Sequence, residues 1–136
     1  MDHPRRYKKA FGAVERHVLP NTNGSGIMHA ELKIGNAIIM LDEENSYSKC
    51  RSAEKLGGSP VSFYIYVNDF DSAFKKAVDA GAKKHMDVKE MFWGDRMGSV
   101  TDPFGYSWSL ATHTKDLSDQ EIQRGAKEFC AQHAVK

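Results

Sequence analysis

Phe92-Trp93-Gly94-Asp95-Arg96-Met97-Gly98-Ser99-Val100-Thr101-Asp102-Pro103-Phe104-Gly105-Tyr106-Ser107-Trp108-Ser109-Leu110 is the stretch whose reading decides the fold. Its middle, Asp102-Pro103-Phe104-Gly105, carries turn chemistry at each position. Proline presets φ, aspartate bonds back to the backbone, and glycine accepts a positive φ. Apolar and aromatic runs stand on both sides, so the stretch predicts a β-hairpin.

The pattern occurs twice. A helix-like segment ending at Phe11 is followed by Gly12-Ala13, and another, Phe70 to Ala80, by Gly81-Ala82. The two glycines stand 69 positions apart. The same offset carries Gly35-Asn36 onto Phe104-Gly105 and Met40 onto Ser109, so the two hairpin turns coincide. Self-similarity at a fixed period implies two copies of one unit, each a helix, a Gly-Ala stop, a strand and a hairpin. The second copy also has a strand before its helix, Val61 to Val67. The corresponding strand of the first copy falls before Met1, so module one is expected to lack its opening strand.

The remaining elements follow from periodicity. Pro4 suits a helix N1 position, which predicts a short helix over 5–11 with Tyr7 and Phe11 on one core-facing side. Strands are expected over 14–19, 27–34, 37–41 and 83–88, with a kink or bulge near 90–94. In 27–34, Met28, Ala30, Leu32 and Ile34 point one way and His29, Glu31 and Lys33 the other. The helix over 70–80 has an apolar stripe of Phe70, Ala73, Phe74, Ala77 and Val78 and a cap from Asp69 or Asp71. The polar stretch between the modules is a long loop of the lid, binding-loop or linker kind. Ser118-Asp119-Gln120-Glu121 is a capping box. It opens a final helix with a stripe of Ile122, Ala126, Phe129 and Cys130 that is expected to cover a sheet edge or a partner subunit. Gly125 weakens that helix by about 1 kcal/mol relative to alanine.

Composition excludes several classes. The 136 residues suit one domain or two intimate half-modules, with 40% hydrophobic and 10% aromatic residues to build a core. A net charge of +1, with both signs interspersed, is not a nucleic-acid footprint. No apolar run has the length of a membrane span, and the basic N-terminal hexapeptide has no apolar segment behind it. Cys50 and Cys130 form neither a disulfide framework nor a zinc spacing, which fits reduced thiols in a cytoplasmic protein.

The order strand–helix–three strands, twice over, resembles the vicinal oxygen chelate superfamily of glyoxalase I, bleomycin-resistance proteins and extradiol dioxygenases, and within it the PhnB-like branch. The resemblance rests on Tyr7-Lys8-Lys9-Ala10-Phe11-Gly12-Ala13, on Met28-His29-Ala30-Glu31-Leu32-Lys33-Ile34-Gly35, on Phe92-Trp93-Gly94-Asp95-Arg96 and on Asp102-Pro103-Phe104-Gly105. It implies a single α+β domain over 1–136, built of paired βαβββ modules that form a curved mixed sheet with a cleft. Module one spans 1–42, a linker loop 43–59, module two 60–114 and the C-terminal helix 118–133.

The resemblance also implies a metal position. Enzymes of the superfamily hold a divalent ion on the first and last strands of each module, and those positions fall here on Met40, Ser62 and Ser109, with the fourth on the absent strand. A thioether and two hydroxyls do not suit a hard or borderline divalent ion. No metal and no other cofactor is therefore expected there. His3, His17, His29, His85, His113 and His133 show no ligand spacing on one element, although His29 or His113 would serve an unconventional site. By parity with Met40, Ser62 and Ser109, the cleft wall is expected to include Ile38, Tyr64, Tyr66 and Ser107. Trp93 stands at the cleft mouth, and His29 with Glu31 forms a polar pair. Such a wall suits a small amphipathic or aromatic molecule. The plainer alternatives are core or dimer packing for the aromatics and a solvated ion pair for His29 and Glu31. Asp95 and Arg96 read as a structural acid–base pair or as an anion-orienting one.

Three functions are expected in turn. The first is a metal-free, homodimeric binder of a small organic molecule, with no nucleic-acid or membrane partner. The second is a lyase, isomerase or dioxygenase using unconventional metal ligands. The third is a truncated relative whose cleft is only structural.

Overall fold

The structure, a computed structural model, describes residues 3–134. In chain order the elements are α1 (His3–Phe11), β1 (Val14–Pro20), β2 (Ile27–Ile34), β3 (Ala37–Asp42), α2 (Ala53–Leu56), β4 (Ser62–Tyr66), α3 (Phe70–Asp79), β5 (Lys83–Glu90), β6 (Asp95–Thr101), β7 (Ser107–His113) and α4 (Asp119–Gln132). The strands divide into two sheets, ordered β1-β2-β3 and β4-β7-β6-β5. β4 joins β7 in parallel, and every other pair is antiparallel. Module two is thus a complete βαβββ unit. Module one is αβββ, and among the described residues no strand lies beside β3 where β4 lies beside β7.

Local chemistry explains the repeat. Gly12 and Gly81 follow α1 and α3 with φ of 64° and 103°, a region that costs a side chain strain and costs glycine little. Asp69 caps α3 by accepting from Ser72 N–H at 3.2 Å. Ser118 and Glu121 form the reciprocal capping box at the start of α4. The linker holds more order than a loop reading expects. Ser52 caps the single turn α2, Glu44 accepts from Ser52 N–H at 2.6 Å and pairs with Lys55, and Ala53 is buried.

The core lies between the two sheets and their helices. From β2 it takes Leu32 and Ile34, from α1 Tyr7 and Ala10, from α3 Phe70 and Ala77, and from β6 and β7 Val100, Trp108 and Leu110. Of the α3 stripe, Val78 is exposed instead. Trp108 is the hub, stacked between Phe11 at 4.2 Å and Phe63 at 4.5 Å. Asp102 organises the hairpin from beneath. One of its carboxylate oxygens accepts from Phe104 N–H and Tyr106 N–H, both at 2.9 Å, which closes the turn. The other accepts from Trp108 Nε1 at 2.9 Å and from the Tyr7 hydroxyl at 2.7 Å. Tyr7 belongs to module one, so this carboxylate ties the modules together. Burial first, and the charge of Asp102 second, push the Tyr7 phenol far above its ordinary range, so it only donates.

α4 meets the rest of the fold at Phe92, whose ring lies 5.5 Å from that of Phe129. Gly125 is required by this contact. A Cβ there would stand 2.7 Å from Phe92 Cβ. Gly125→Ala is therefore expected to forfeit the gain of about 1 kcal/mol that helix propensity alone would give. Crowding Phe92 costs about 1–3 kcal/mol. Amide hydrogen exchange across α4 checks this: faster exchange in the variant is the expected result, and slower exchange would show that propensity dominates.

Candidate functional site

The face of each sheet turned away from the helices carries most of the residues expected at the site. In module one the register pairs Lys33 with Ile38, Glu31 with Met40 and His29 with Asp42, so these six share that face. His29 Nδ1 lies 2.6 Å from Asp42 Oδ1 and its Nε2 lies 3.6 Å from Glu31. Arg16 lies 3.6 Å from the same glutamate. The hydrogen bond to Asp42 raises the His29 pKa against a smaller opposing effect of burial, and Glu31 adds to the rise.

In module two the same face holds three cross-strand rows. Ser62, Ser107 and Thr101 form the first, Tyr64, Ser109 and Ser99 the second, and Tyr66, Ala111 and Met97 the third. Beyond them His113 pairs with Asp95. Asp95 is 1% exposed and gathers the surrounding side chains. Its Oδ2 accepts from the hydroxyls of Tyr64 (2.7 Å) and Tyr66 (2.8 Å) and from Trp93 Nε1 (3.0 Å). Its Oδ1 accepts from His113 Nδ1 at 2.9 Å, and His113 Nε2 reaches Asp116 at 2.7 Å. The two tyrosines start on β4 and reach a carboxylate on β6, so they lean across β7, and Ala111 beneath them is fully buried. Their rings meet edge to face at 5.5 Å.

The electrostatics follow from the wiring. Burial pushes the Asp95 pKa up, but four donated hydrogen bonds, first that of His113, outweigh it and hold the carboxyl below its ordinary value. Desolvation and the bond to Asp95 push the Tyr64 phenol up to about 12. The bond to Asp95 raises Tyr66 as well. Carboxylates on both ring nitrogens, Asp116 first and Asp95 second, raise the His113 pKa and favour its doubly protonated form. Every proton in the cluster is thus committed. The arrangement is an aromatic shelf held by hydrogen bonds to one carboxylate.

The residues expected at the site divide into two groups. Ser62, Tyr64, Tyr66, Trp93, Ser107 and Ser109 lie on or beside one face of module two, and His29, Glu31, Ile38 and Met40 share one face of module one. No hydrogen bond or ion pair among the described residues joins the groups. Two cavities instead lie between the modules. One, of about 310 Å³, is bordered by Met40, Asp42, Glu44, Phe63 and Trp108. The other, of about 800 Å³, lies between α1, α3 and β4 and is bordered by Lys9, Ala37, Tyr66, Asp69 and Lys76. Asp95 and Arg96 are not a pair. Successive strand residues point to opposite faces, and Arg96 meets Asp71 at 3.3 Å and lies over the Phe70 ring. Asp95 is the central residue that adjacency in sequence concealed. Its parity with Met97 and Ser99, counted through the hairpin to Ser109 and Tyr64, is the signal that places it on this face.

The family-type metal position does not fit a divalent ion. It presents Met40, Ser62 and Ser109, a thioether and two hydroxyls, and no carboxylate or imidazole. Among the described residues no group of three or more His, Cys, Asp or Glu side chains is arranged to hold a metal ion. His113 has both nitrogens bonded to carboxylates.

Comparisons with known proteins agree with this architecture. A family model for the glyoxalase/bleomycin resistance protein/dioxygenase superfamily matches residues 6–110. An uncharacterised protein of Mycobacterium tuberculosis is 38% identical over 120 residues, which are 86% of this chain and 70% of that protein. The crystal structure of an Arabidopsis thaliana gene product is 35% identical, with a TM-score of 0.64 over 81% of this chain and 85% of that one. The PhnB protein of Bacillus cereus shares the fold, with a TM-score of 0.58 at 14% identity over 82% and 88% of the two chains. The chain belongs to the glyoxalase/bleomycin resistance protein/dioxygenase superfamily.

Proposed function

We propose that this chain binds a small aromatic or amphipathic molecule on the concave face of module two, without a metal ion. The observation that carries the reading is the shelf of Tyr64, Tyr66 and Trp93, fixed by the buried carboxylate of Asp95. Aromatic side chains contribute most to ligand affinity when they are held rigid, because less motion is lost on binding. Both tyrosine rings are nonetheless exposed. A shelf of this kind gives a flat ligand a face to stack against.

We infer further that the protein self-associates. Among the described residues no strand pairs with the outer edge of β3 or of β4, and open edges invite pairing. Ile38, Met40 and Val61 are exposed along them. A second copy across a two-fold axis covers such edges with identical surfaces.

NMR of the two tryptophan indole N–H groups tests the binding. Trp93 donates to Asp95 and Trp108 donates to Asp102. Titration with 2-ethylnaphthalene is expected to move the Trp93 resonance in a saturable manner and leave Trp108 in place. An unmoved Trp93 resonance for this probe and for its ketone analogue 2-acetylnaphthalene would contradict the reading.

A further inference from the structure

Five hydroxyls lie beside the aromatic shelf on three adjacent strands. Ser62, Ser107 and Thr101 form one row, and Ser109 and Ser99 stand next to Tyr64 in the second. Ser99 is 6% exposed and Ser109 8%. Neither side chain hydrogen-bonds within the protein among the described residues, and neither oxygen is sealed from solvent. Both point away from the helices. The neighbouring Gly98 faces Phe70 and Phe74 of α3, and Trp108 and Leu110 on either side of Ser109 lie in the core.

Both residues are largely covered, yet their hydroxyl oxygens stay open to solvent, so each is free to bond a ligand atom in place of water. Each hydroxyl has one proton to donate. Here two adjacent donors are left unused at the foot of an aromatic wall.

We propose that Ser99 and Ser109 are the polar anchor of the ligand, and that the ligand is a neutral aromatic carbonyl compound, a ketone, aldehyde, quinone or amide. Its carbonyl oxygen accepts from the two serines while its ring lies against Tyr64. The charge of the surroundings selects the neutral form. The Asp95–His113–Asp116 cluster, two carboxylates around one imidazolium, is net negative. Lys83 and Lys89 of the edge strand β5 stand opposite Thr101 and Met97, at the ends of the first and third rows, but the β5 residue opposite Ser99 is Met86, so the row that holds both serines offers a carboxylate ligand no counter-ion. Ser62, Thr101 and Ser107 extend the donor field towards solvent for further oxygens of the same molecule.

The inference rests on the proposed binding of an aromatic ligand by the shelf, and its test separates the two. The probes are 2-acetylnaphthalene and 2-ethylnaphthalene, which differ by a carbonyl in place of a methylene, and 2-naphthoate, the anionic analogue. Dissociation constants come from the Trp93 indole titration. The ketone is expected to bind about tenfold more tightly than the hydrocarbon, the effect of one to two net hydrogen bonds, and the carboxylate more weakly than the ketone. Ser99→Ala and Ser109→Ala are each expected to reduce the ketone's advantage, and the double variant to abolish it. All three variants should keep the hydrocarbon's affinity, which also reports that the shelf is folded. Equal binding of ketone and hydrocarbon by the native protein, or an advantage that survives the double variant, overturns the serine anchor and leaves the shelf standing. Tighter binding of 2-naphthoate overturns the neutral-ligand assignment. Failure of all three probes to bind overturns the shelf reading and the anchor with it.

Discussion

Asp95→Ala is expected to destabilise the protein by about 3–5 kcal/mol, the range for removing one partner of a buried charged network. It is also expected to abolish saturable binding of aromatic probes. The carboxylate accepts from Tyr64, Tyr66, Trp93 and His113 at once. Its removal leaves four donors facing a void and frees two exposed rings to leave β7. Asp95→Asn separates the effects. The amide keeps the shape and can hold its oxygen towards Tyr64, Tyr66 and Trp93 while its NH2 group faces His113 alone, so the stability loss is smaller and the shelf is retained. Urea unfolding measures the first quantity, and the Trp93 indole resonance the second. Unchanged stability in Asp95→Ala would mean that the cluster is an ornament of the surface.

The same carboxylate sets a pH dependence. Its pKa in the folded state lies below the unfolded value, so its contribution is fully present above the ordinary carboxylate pKa of about 4. The contribution is lost as pH falls through the folded value. His113 behaves in the opposite sense. Its folded pKa is raised, so its contribution is present below about 6.5 and lost as pH rises through the folded value. Aromatic-probe binding is expected to persist through mildly acidic pH and to fail in strong acid. The failure should track Asp95 and be absent from the pH profile of Asp95→Asn.

Asp102→Ala is the second large effect, again about 3–5 kcal/mol, with a different signature. Asp102 is 5% exposed and accepts four hydrogen bonds, two from its own turn and two from Trp108 and Tyr7. The loss should appear as loosening of α1 and of the β6–β7 hairpin together, because Tyr7 lies on one and Trp108 on the other. Accelerated amide exchange in both α1 and β7 is the expected result. Exchange confined to the hairpin would show that the tie between modules is made by apolar packing around Trp108 alone. Tyr7→Phe isolates the inter-module bond. It leaves the turn intact and is expected to cost about 1–3 kcal/mol, the penalty for leaving a buried acceptor short of one donor.

The architecture was legible because its signals are local. Gly12-Ala13 and Gly81-Ala82 mark two helix stops, and Gly35-Asn36 and Phe104-Gly105 mark two hairpin turns at the same offset. Turn chemistry of this kind depends on a few neighbouring residues. The same arithmetic agrees with the finding that no strand lies beside β3 among the described residues. Strand parity was legible too, and it placed Met28, Ala30, Leu32 and Ile34 opposite His29, Glu31 and Lys33. Met28 nevertheless lies at the exposed end of its strand.

The site was less legible because its bonds cross strands. Asp95 meets residues 29 and 31 positions away on β4 and 18 positions away on β7. Nothing in Trp93-Gly94-Asp95-Arg96 announces this, and adjacency suggests a pair with Arg96 instead. Turn chemistry revealed half of Asp102's role, the half within its own hairpin. The bonds to Tyr7 and Trp108 depend on the docking of the two modules. Gly125 misled for a related reason. Helix propensity treats it as a weakness, whereas its lack of a Cβ is what lets α4 approach Phe92.

Native mass spectrometry of the purified protein, before and after incubation with nickel, zinc and iron(II), tests the central claim most directly. A dimer that retains no metal from any of the three is expected, because Met40, Ser62 and Ser109 offer no carboxylate or imidazole at the family position. One metal ion held per subunit would contradict it and return the aromatic shelf to the role of an enzyme's substrate platform.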